Sequence, residues 1–316
     1  MKIKKTYYFF RSANRILFVR LIFPIVILFF LLITTPAFSQ EEDLESLLEK
    51  EIEIKPELTI ATFKSTRLIN SHTIERMQKG DLDFRISHRF GEVNTGVYEL
   101  FGLDYSSSYL AAEYGITDWL MTGIGRGTMQ KTFHGFYKLS IIRQSSGKKS
   151  VPVSVSWMQG VSLNALKWTN PERSNYFYSR LSYIHQLLIA RKFNQKFSLQ
   201  IMPVLVHRNL VHNKSDKNDL YALGTGGRYK LTNRLAVTAE FFYVHGLNNT
   251  SGINYYHPIS IGMDIETGSH VFQLMITNSS GILENHFIGE TTGDIFDGGF
   301  RIGFNISRVF TLKKTK

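Results

Sequence analysis

The chain of 316 residues contains no cysteine. This absence excludes disulfide bonds, thiolate metal sites and a lipidated N-terminal cysteine. After residue 40 the sequence also lacks any apolar run close to the roughly 20 residues that a membrane-spanning helix needs. Residence in a membrane would therefore require strands that close into a barrel.

A basic block is missing as well from the chain after residue 40. The formal net charge of +11 owes much to six basic residues at the N-terminus, and the charges of the remaining chain are mixed along its length. Nucleic-acid recognition normally uses a basic stripe with stacking aromatic residues. No nucleic-acid partner is therefore expected.

The N-terminus has the pattern of a secretory leader. Its basic residues precede the apolar run 21–33 and small residues before Gln40, and this order is typical of a cleaved signal peptide. We predict a signal peptide over residues 1–39, an acidic periplasmic extension over 40–57 and a barrel over 58–316. The sequence leaves three roles possible for residues 58–75, which could add a strand, a plug or a linker.

Strand-length segments with alternating polarity fill the rest of the chain. In the last segment one face carries Phe300, Ile302, Phe304 and Ile306, and the other carries Arg301, Gly303, Asn305 and Ser307. Most segments approach the roughly 9 to 11 residues of a tilted transmembrane strand. Twelve strands are predicted, near 82–90, 108–116, 119–127, 133–142, 151–158, 177–189, 197–207, 220–230, 234–244, 258–266, 270–277 and 299–308.

The connections between these segments alternate between short turns and longer loops, with one brief exception at 128–132. A barrel with both termini in the periplasm has this asymmetry, because its periplasmic turns are short and its extracellular loops are long. The sequence therefore predicts an all-β protein, a monomeric transmembrane antiparallel β-barrel of about 12 strands. A lipocalin-like barrel or a soluble sandwich would not explain why the long loops share one end.

Several short motifs support the same fold. They are Ser71–Glu75, His88–Gly91, Glu99–Asp104, Glu113–Asp118, His185–Phe193, Gly226–Lys230, Asp264–Gly268 and Phe304–Phe310. With these motifs the chain resembles an uncharacterised outer-membrane β-barrel family of Gram-negative bacteria, domain of unknown function 5777. The resemblance covers roughly residues 60 to 312 and implies a barrel, but it supplies no substrate and no catalytic residues.

Charged side chains at inward positions form the most suggestive group. By strand parity they are Asp83, Arg85, Arg89, Glu113, Arg126, Lys138, Arg180, Arg228, Lys230, Glu240, Asp264, Glu266 and Arg301. Basic residues outnumber acidic ones, so a water-filled lumen would attract small anions. Alternatively, the charges pair with one another and fill a narrow barrel that conducts nothing.

Other chemistry finds weaker support. The ten histidines match no metal-ligand spacing, and no cofactor is expected. A lipase would need a serine and an orienting group beside a histidine such as His185, but no G-x-S-x-G motif occurs. Glycines such as those at 123–127 and 224–227 fit crowded or curved strands better than phosphate loops.

The sequence therefore predicts a non-enzymatic barrel of the cell outer membrane. Its expected partners are outer-membrane lipid and, during insertion, the barrel-assembly machinery. The preferred function is a narrow pore or binding barrel for small polar or anionic solutes. The alternatives are a structural or interaction barrel with partner-binding outer loops and, less favoured, a membrane-embedded hydrolase.

Overall fold

A computed structural model of the chain describes residues 57–147, 150–211, 216–247 and 253–312. The predicted signal peptide and nearly all of the predicted acidic extension lie outside the described residues. Both therefore stay predictions. The described chain belongs to the compact unit Lys55–Lys316.

Twelve antiparallel strands pair in chain order, and the last pairs with the first to close a barrel. They are β1 (Asp81–Glu92), β2 (Ser106–Gly115), β3 (Leu120–Gly127), β4 (Phe133–Ile142), β5 (Ser154–Leu163), β6 (Leu181–Lys192), β7 (Phe197–Arg208), β8 (Asp219–Lys230), β9 (Leu235–Val244), β10 (Ile259–Thr267), β11 (His270–Thr277) and β12 (Arg301–Thr311). This closed barrel confirms the predicted fold class.

Two strands begin three or more residues later than predicted. β5 starts at Ser154, after Pro152, which has no N–H to donate to a strand ladder. β6 starts at Leu181, because Phe177–Arg180 forms a 3-10 turn in which the N–H of Ser179 donates to the Tyr176 carbonyl at 3.2 Å.

The connections separate into two ends of the barrel. The connections 116–119, 143–153, 193–196, 231–234 and 268–269 lie at one end, which we call the turn end. The connections 93–105, 128–132, 164–180, 209–218, 245–258 and 278–300 lie at the other, which we call the loop end. Both ends of the barrel-forming chain, Asp81 and Thr311, therefore lie at the turn end.

Apolar side chains cover the outer wall, as the alternation predicts. Ile261 on β10 lies opposite Ile276 on β11, and both are more than half exposed. Phe84, Ile124 and Leu274 are outward and exposed as well. This wall is the surface that hydrocarbon covers in a membrane barrel.

A hairpin of residues 62–76, which we call the lumen hairpin, fills the barrel from the turn end. Its two arms pair between Arg67 and His72, and the N–H of Leu68 donates to the Ser71 carbonyl at 2.9 Å. All residues from 62 to 74 except Lys64 are buried. Of the three options left open by the sequence, a strand, a plug or a linker, the structure has a plug.

The feet of the lumen hairpin are fixed at the turn end. On one side Leu58 pairs with Ser145 in the connection between β4 and β5. On the other side Lys79 pairs with Gly115, the last residue of β2. The hairpin therefore inserts into the barrel from the side on which the chain enters β1.

A second segment enters the lumen from the loop end. The connection 278–300 carries helix α1 (Glu284–Gly289), and all six residues of α1 are buried. Within the described ranges no helix has the length and apolar character needed to cross a membrane. The hairpin and α1 together occupy the interior from opposite ends.

The inner wall has an apolar half that the parity argument does not predict. Inward positions of β3 to β8 carry Met121, Met158, Leu188 and Met202, among other buried apolar residues. Phe63, Leu68 and Ile74 of the lumen hairpin pack against this half, together with Phe287 and Ile288 of α1. The charged and amide side chains of the lumen, which we call its polar half, lie mostly on β9 to β12, β1 and β2, with others, such as Lys138, Gln200 and Arg228, added from the strands of the apolar half. The expectation of a lumen lined by charges therefore holds only in part, because the inserted segments need an apolar surface to pack on.

Candidate functional site: the polar half of the lumen

The tip of the lumen hairpin is held by one carboxylate. Glu240 on β9 accepts the backbone N–H of Asn70 at 2.9 Å and that of Ser71 at 3.2 Å. Its second oxygen also accepts the Ser71 hydroxyl at 2.8 Å. Because Glu240 is only 3% exposed, these charge-assisted bonds form away from water, where they are strong.

Three side-chain amides on the wall bind the hairpin backbone. Gln200 on β7 accepts the N–H of Ile74 and donates to the carbonyl of His72, both at 2.8 Å. Gln273 on β11 donates to the Leu68 carbonyl at 2.8 Å. The third amide, Asn305 on β12, donates to the Ile69 carbonyl at 2.9 Å.

Cationic side chains complete the contacts with the hairpin. Arg89 on β1 donates to the Asn70 side-chain oxygen at 2.8 Å, and Lys138 on β4 donates to the carbonyls of Thr73, at 2.9 Å, and Glu75. Arg85 donates to the hydroxyls of Ser65 at 2.6 Å and Thr66 at 3.0 Å. The wall cations are thus directed at uncharged oxygens of the hairpin.

A buried ion pair joins the two inserted segments. Arg67 of the hairpin donates to the Glu284 carboxylate of α1 at 2.8 Å, and its Nε lies 3.8 Å from Glu113 on β2. Burial acts to lower the pKa of Arg67, but these two carboxylates outweigh it and raise the pKa above its ordinary value. The guanidinium therefore stays charged although it is buried.

His72 lies beside this pair, with its Nε2 3.9 Å from the Glu284 carboxylate. Burial, followed by the nearby charge of Arg67, holds the pKa of His72 well below its ordinary value. The ring is therefore neutral at neutral pH, and it packs edge-on against Phe136 at 4.5 Å between ring centres.

Most of the predicted lumen residues lie on the inner wall. Around the hairpin the structure brings together Asp83, Arg85, Arg89, Glu113, Lys138 and Glu240, all of them buried. Nearer the turn end, Arg228 pairs with Glu266 at 2.8 Å and lies 3.7 Å from Asp264. Lys230, the last residue of β8, is half-buried at the turn end. At the loop end Arg301 pairs with Glu92 at 2.5 Å.

Two predicted lumen residues lie elsewhere. Arg126 is exposed on the outer wall, where its register places it across from Leu110 and Phe133, and its guanidinium lies 5.5 Å from the Phe133 ring. The inward positions of β3 are those of Met121 and the glycines instead. Arg180 ends the 3-10 turn before β6 and stacks on Trp168 at 3.8 Å. Both predictions are wrong. The alternating side chains of β3 lie on the faces opposite to those predicted, so Arg126 lies outside, and β6 begins at Leu181, so Arg180 precedes it.

The amides that hold the hairpin are absent from the predicted site. Gln200, Gln273 and Asn305 all have inward parity, and Gln273 and Asn305 stand on the polar faces of their segments. These residues are uncharged, so a prediction based on charged side chains omits them. An Asn or Gln at an inward strand position is the sequence signal that identifies them.

Space for the hairpin depends on a glycine of β8. A Cβ built at Gly226 would lie 2.4 Å from a methyl carbon of Leu68. Since real Cβ atoms do not approach other atoms that closely, a side chain at this position must displace Leu68 from its seat. The crowding predicted for the glycines at 224–227 is thus, at Gly226, contact with the inserted hairpin.

We expect Gly226→Val to loosen the hairpin, because overpacking of a filled interior costs about 1 to 3 kcal/mol. In an Ile69→Cys background, the only thiol is buried at the hairpin tip, and a water-soluble maleimide should label it about tenfold faster in the Gly226→Val variant. Gly227→Val is the matched control, since Gly227 faces outward. Equal labelling rates in the two variants would contradict the expected role of Gly226.

A groove of about 460 Å³ lies on the outer wall, where β6 and β7 meet. The ladder pairs Gln186 with Val204 and Ile189 with Ile201, but between them Leu187 and Leu188 have no ladder partner. Pro203 stands opposite Leu187 and has no N–H, so the Leu187 carbonyl loses the donor that an unbroken ladder would supply.

Replacing Pro203 with valine should raise the free energy of unfolding by about 1 kcal/mol, because the restored N–H satisfies a carbonyl on a wall that faces hydrocarbon. Urea unfolding in lipid vesicles, followed by tryptophan fluorescence, measures the change. Pro152→Val, in an exposed connection, is the control and should leave the value near that of the parent. A loss of stability in Pro203→Val would show that the broken ladder is not the dominant local cost.

His185 lines the same groove and stacks on Trp157, with 6.0 Å between ring centres and 11° between the planes. Ser182 lies three residues away on β6 and is paired with Arg208, not placed beside His185. In the described ranges no group of three or more His, Asp or Glu side chains is placed to hold a metal ion.

Comparison with known proteins places this barrel in context. The family model described as "Membrane bound beta barrel domain (DUF5777)" matches residues 63–310. The search of curated proteins found no match to the chain.

Solved structures that resemble this one include outer-membrane barrels. The NanC porin is 9% identical, with 74% of this chain and 100% of that chain covered and a TM-score of 0.45. The KdgM porin is 10% identical, covering 73% and 99%, with a TM-score of 0.42. An outer-membrane channel from Pseudomonas putida F1 is 13% identical, covering 75% and 98%, with a TM-score of 0.41. These likenesses do not identify a solute for this chain.

Proposed function

We propose that this chain, which belongs to the membrane-bound β-barrel family known as domain of unknown function 5777, is a gated passage for small polar solutes across the outer membrane. The lumen hairpin is its gate. The turn end would face the periplasm, as in barrels whose termini lie there.

The observation that carries the proposal is the way in which the lumen is filled. The wall charges bind a separate segment that enters from one end, through Glu240, Arg89 and Lys138. Withdrawal of that segment would uncover polar and charged groups on half of the wall. A barrel closed for strength alone could pair such charges across its own wall.

A variant that releases the hairpin while leaving the wall intact tests the proposal. Leu68→Asp combined with Ile74→Asp puts two carboxylates against the apolar half of the lumen, where burial of an unpaired charge is costly. In planar bilayers the full-length parent should be closed most of the time, and the released-hairpin variant should conduct steadily. Heat-modifiable gel mobility confirms that the variant has folded as a barrel.

The absence of cysteine allows a matched lock. The side chains of Asn70 and Ser260 hydrogen-bond at 3.0 Å, so thiols introduced by Asn70→Cys and Ser260→Cys lie within reach of a short bis-methanethiosulfonate linker, which tethers the hairpin tip to β10 and is released by reduction. The locked barrel should be silent and should recover the openings of the parent after reduction. A released-hairpin variant that folds but passes no current would refute the gated passage.

One observation favours an interaction barrel as the second candidate. At the loop end the connections 93–105 and 278–300 lie together through a hydrogen bond from Asn94 to the Asp297 carbonyl at 3.0 Å. They expose Tyr98 and Phe296, at 95% and 85%. Photo-crosslinkers at Tyr98 and at Phe296 in intact cells should both capture one discrete partner if this role holds, and separate or diffuse adducts would count against it.

A further inference from the structure

We infer that the polar half of the lumen is a binding site for peptide backbone, and that the gated passage serves short peptides. This inference rests on the proposed function and names its substrate class. In this view the lumen hairpin occupies the site as an internal ligand.

The contacts themselves define the ligand chemistry. Wall side chains donate to the main-chain carbonyls of six hairpin residues and accept the main-chain N–H groups of three. The carbonyls belong to Arg67, Leu68, Ile69, His72, Thr73 and Glu75, and the N–H groups to Asn70, Ser71 and Ile74. A site built for small anions would offer donors alone.

Gln200 shows the match most clearly. Its amide donates to the carbonyl of His72 and accepts the N–H of Ile74, each at 2.8 Å. A carbonyl and an N–H two residues apart on the same edge are what an extended strand presents to its neighbour. Gln200 therefore substitutes for a neighbouring strand, a mode of recognition that depends on main chain and not on sequence.

The opposite half of the lumen suits the side chains of such a ligand. Leu68 fills the space left by Gly226, and Phe63 and Ile74 lie in the same apolar cluster as Met121 and Met202. Methionine side chains adapt to different apolar partners. A wall that combines backbone-binding groups with an adaptable apolar surface is suited to peptides of varied sequence and poorly suited to sugars.

A peptide added in trans tests the inference. The full-length released-hairpin variant, Leu68→Asp with Ile74→Asp, keeps every wall residue, and a synthetic peptide with the parent sequence of residues 62–76 should block its current. The half-blocking concentration should be at least about tenfold lower than that of maltoheptaose or of the same peptide carrying both aspartates. Gln200→Leu added to the variant should raise that concentration about tenfold, since it removes two hydrogen bonds to main chain.

Binding measured without current separates the two proposals. Fluorescence anisotropy of the labelled 62–76 peptide, with the variant in detergent micelles, should show saturable binding that Gln200→Leu weakens. If the variant conducts but peptide and maltoheptaose block equally, the peptide site is refuted and the passage stands. If the variant binds the peptide but never conducts, the passage is refuted and the site stands.

Discussion

Replacing Glu240 with alanine should increase the open fraction of the barrel about a hundredfold. The carboxylate accepts two main-chain N–H groups at the hairpin tip and the Ser71 hydroxyl. Its removal leaves these donors buried and unpaired while the hairpin stays in place, at a cost of about 3 kcal/mol. Withdrawal of the hairpin returns them to water, so the cost falls on the closed state alone.

Single-channel recording of the full-length variant measures the open fraction directly. Glu92→Ala is the control, because Glu92 also pairs inside the barrel mouth, with Arg301, but does not touch the hairpin. It should leave the open fraction close to that of the parent. Equal open fractions for Glu240→Ala and Glu92→Ala, in variants that retain heat-modifiable mobility, would remove Glu240 from the gate.

The barrel itself could be predicted because its signals are local. Side-chain parity repeats every two residues within each strand, as in Phe300 to Ser307, and the alternation of turns and loops needs only the order of segments. Near Pro152 and Phe177 the local signal is ambiguous, and there the observed strands begin a few residues after the predicted starts. The closure of the barrel and the strand count did not depend on those boundaries.

The lumen site could be predicted only in part, because its organising element is not periodic. Parity placed Glu240, Arg85 and Lys138 inside, but it could not reveal that a hairpin stands between them. Residues 62–76 satisfy their main-chain groups with side chains from six different strands, some more than 200 residues away. The sequence of residues 62–76 therefore does not indicate which distant wall residues they contact.

The same limit explains the apolar half of the lumen. Inward Met121 and Met158 resemble outward apolar residues when the strand is considered alone, because a sequence does not distinguish lipid from an inserted segment as the apolar environment. Arg126 shows the converse, since an outward arginine beside Phe133 looks like a lumen charge. Parity assigns a side to a residue only after one residue of the strand has been placed.

The Arg67–Glu284 pair should couple the two inserted segments by about 2 kcal/mol. Both side chains are nearly fully buried. Glu284→Ala alone leaves the Arg67 charge without its main partner, and Arg67→Met alone does the same to Glu284, so each should lower the free energy of unfolding by about 3 kcal/mol. The double variant Arg67→Met with Glu284→Ala removes both charges together, and its loss of stability should be well below the sum of the two single losses.

Urea unfolding of the four proteins in lipid vesicles measures the cycle, and the conductance of the same proteins gives it a functional reading. If α1 helps to hold the gate, Glu284→Ala at the loop end should also open the passage, although Glu284 is more than 200 residues from Arg67 in sequence. If the pair only stabilises the fold, the unfolding experiments should give the same coupling energy, but the open fraction of the passage should not change. If the losses of unfolding free energy in the two single variants add up to the loss in the double variant, the pair does not couple the two segments. The hairpin would then be held by Glu240, and α1 by the apolar half of the wall, independently of each other.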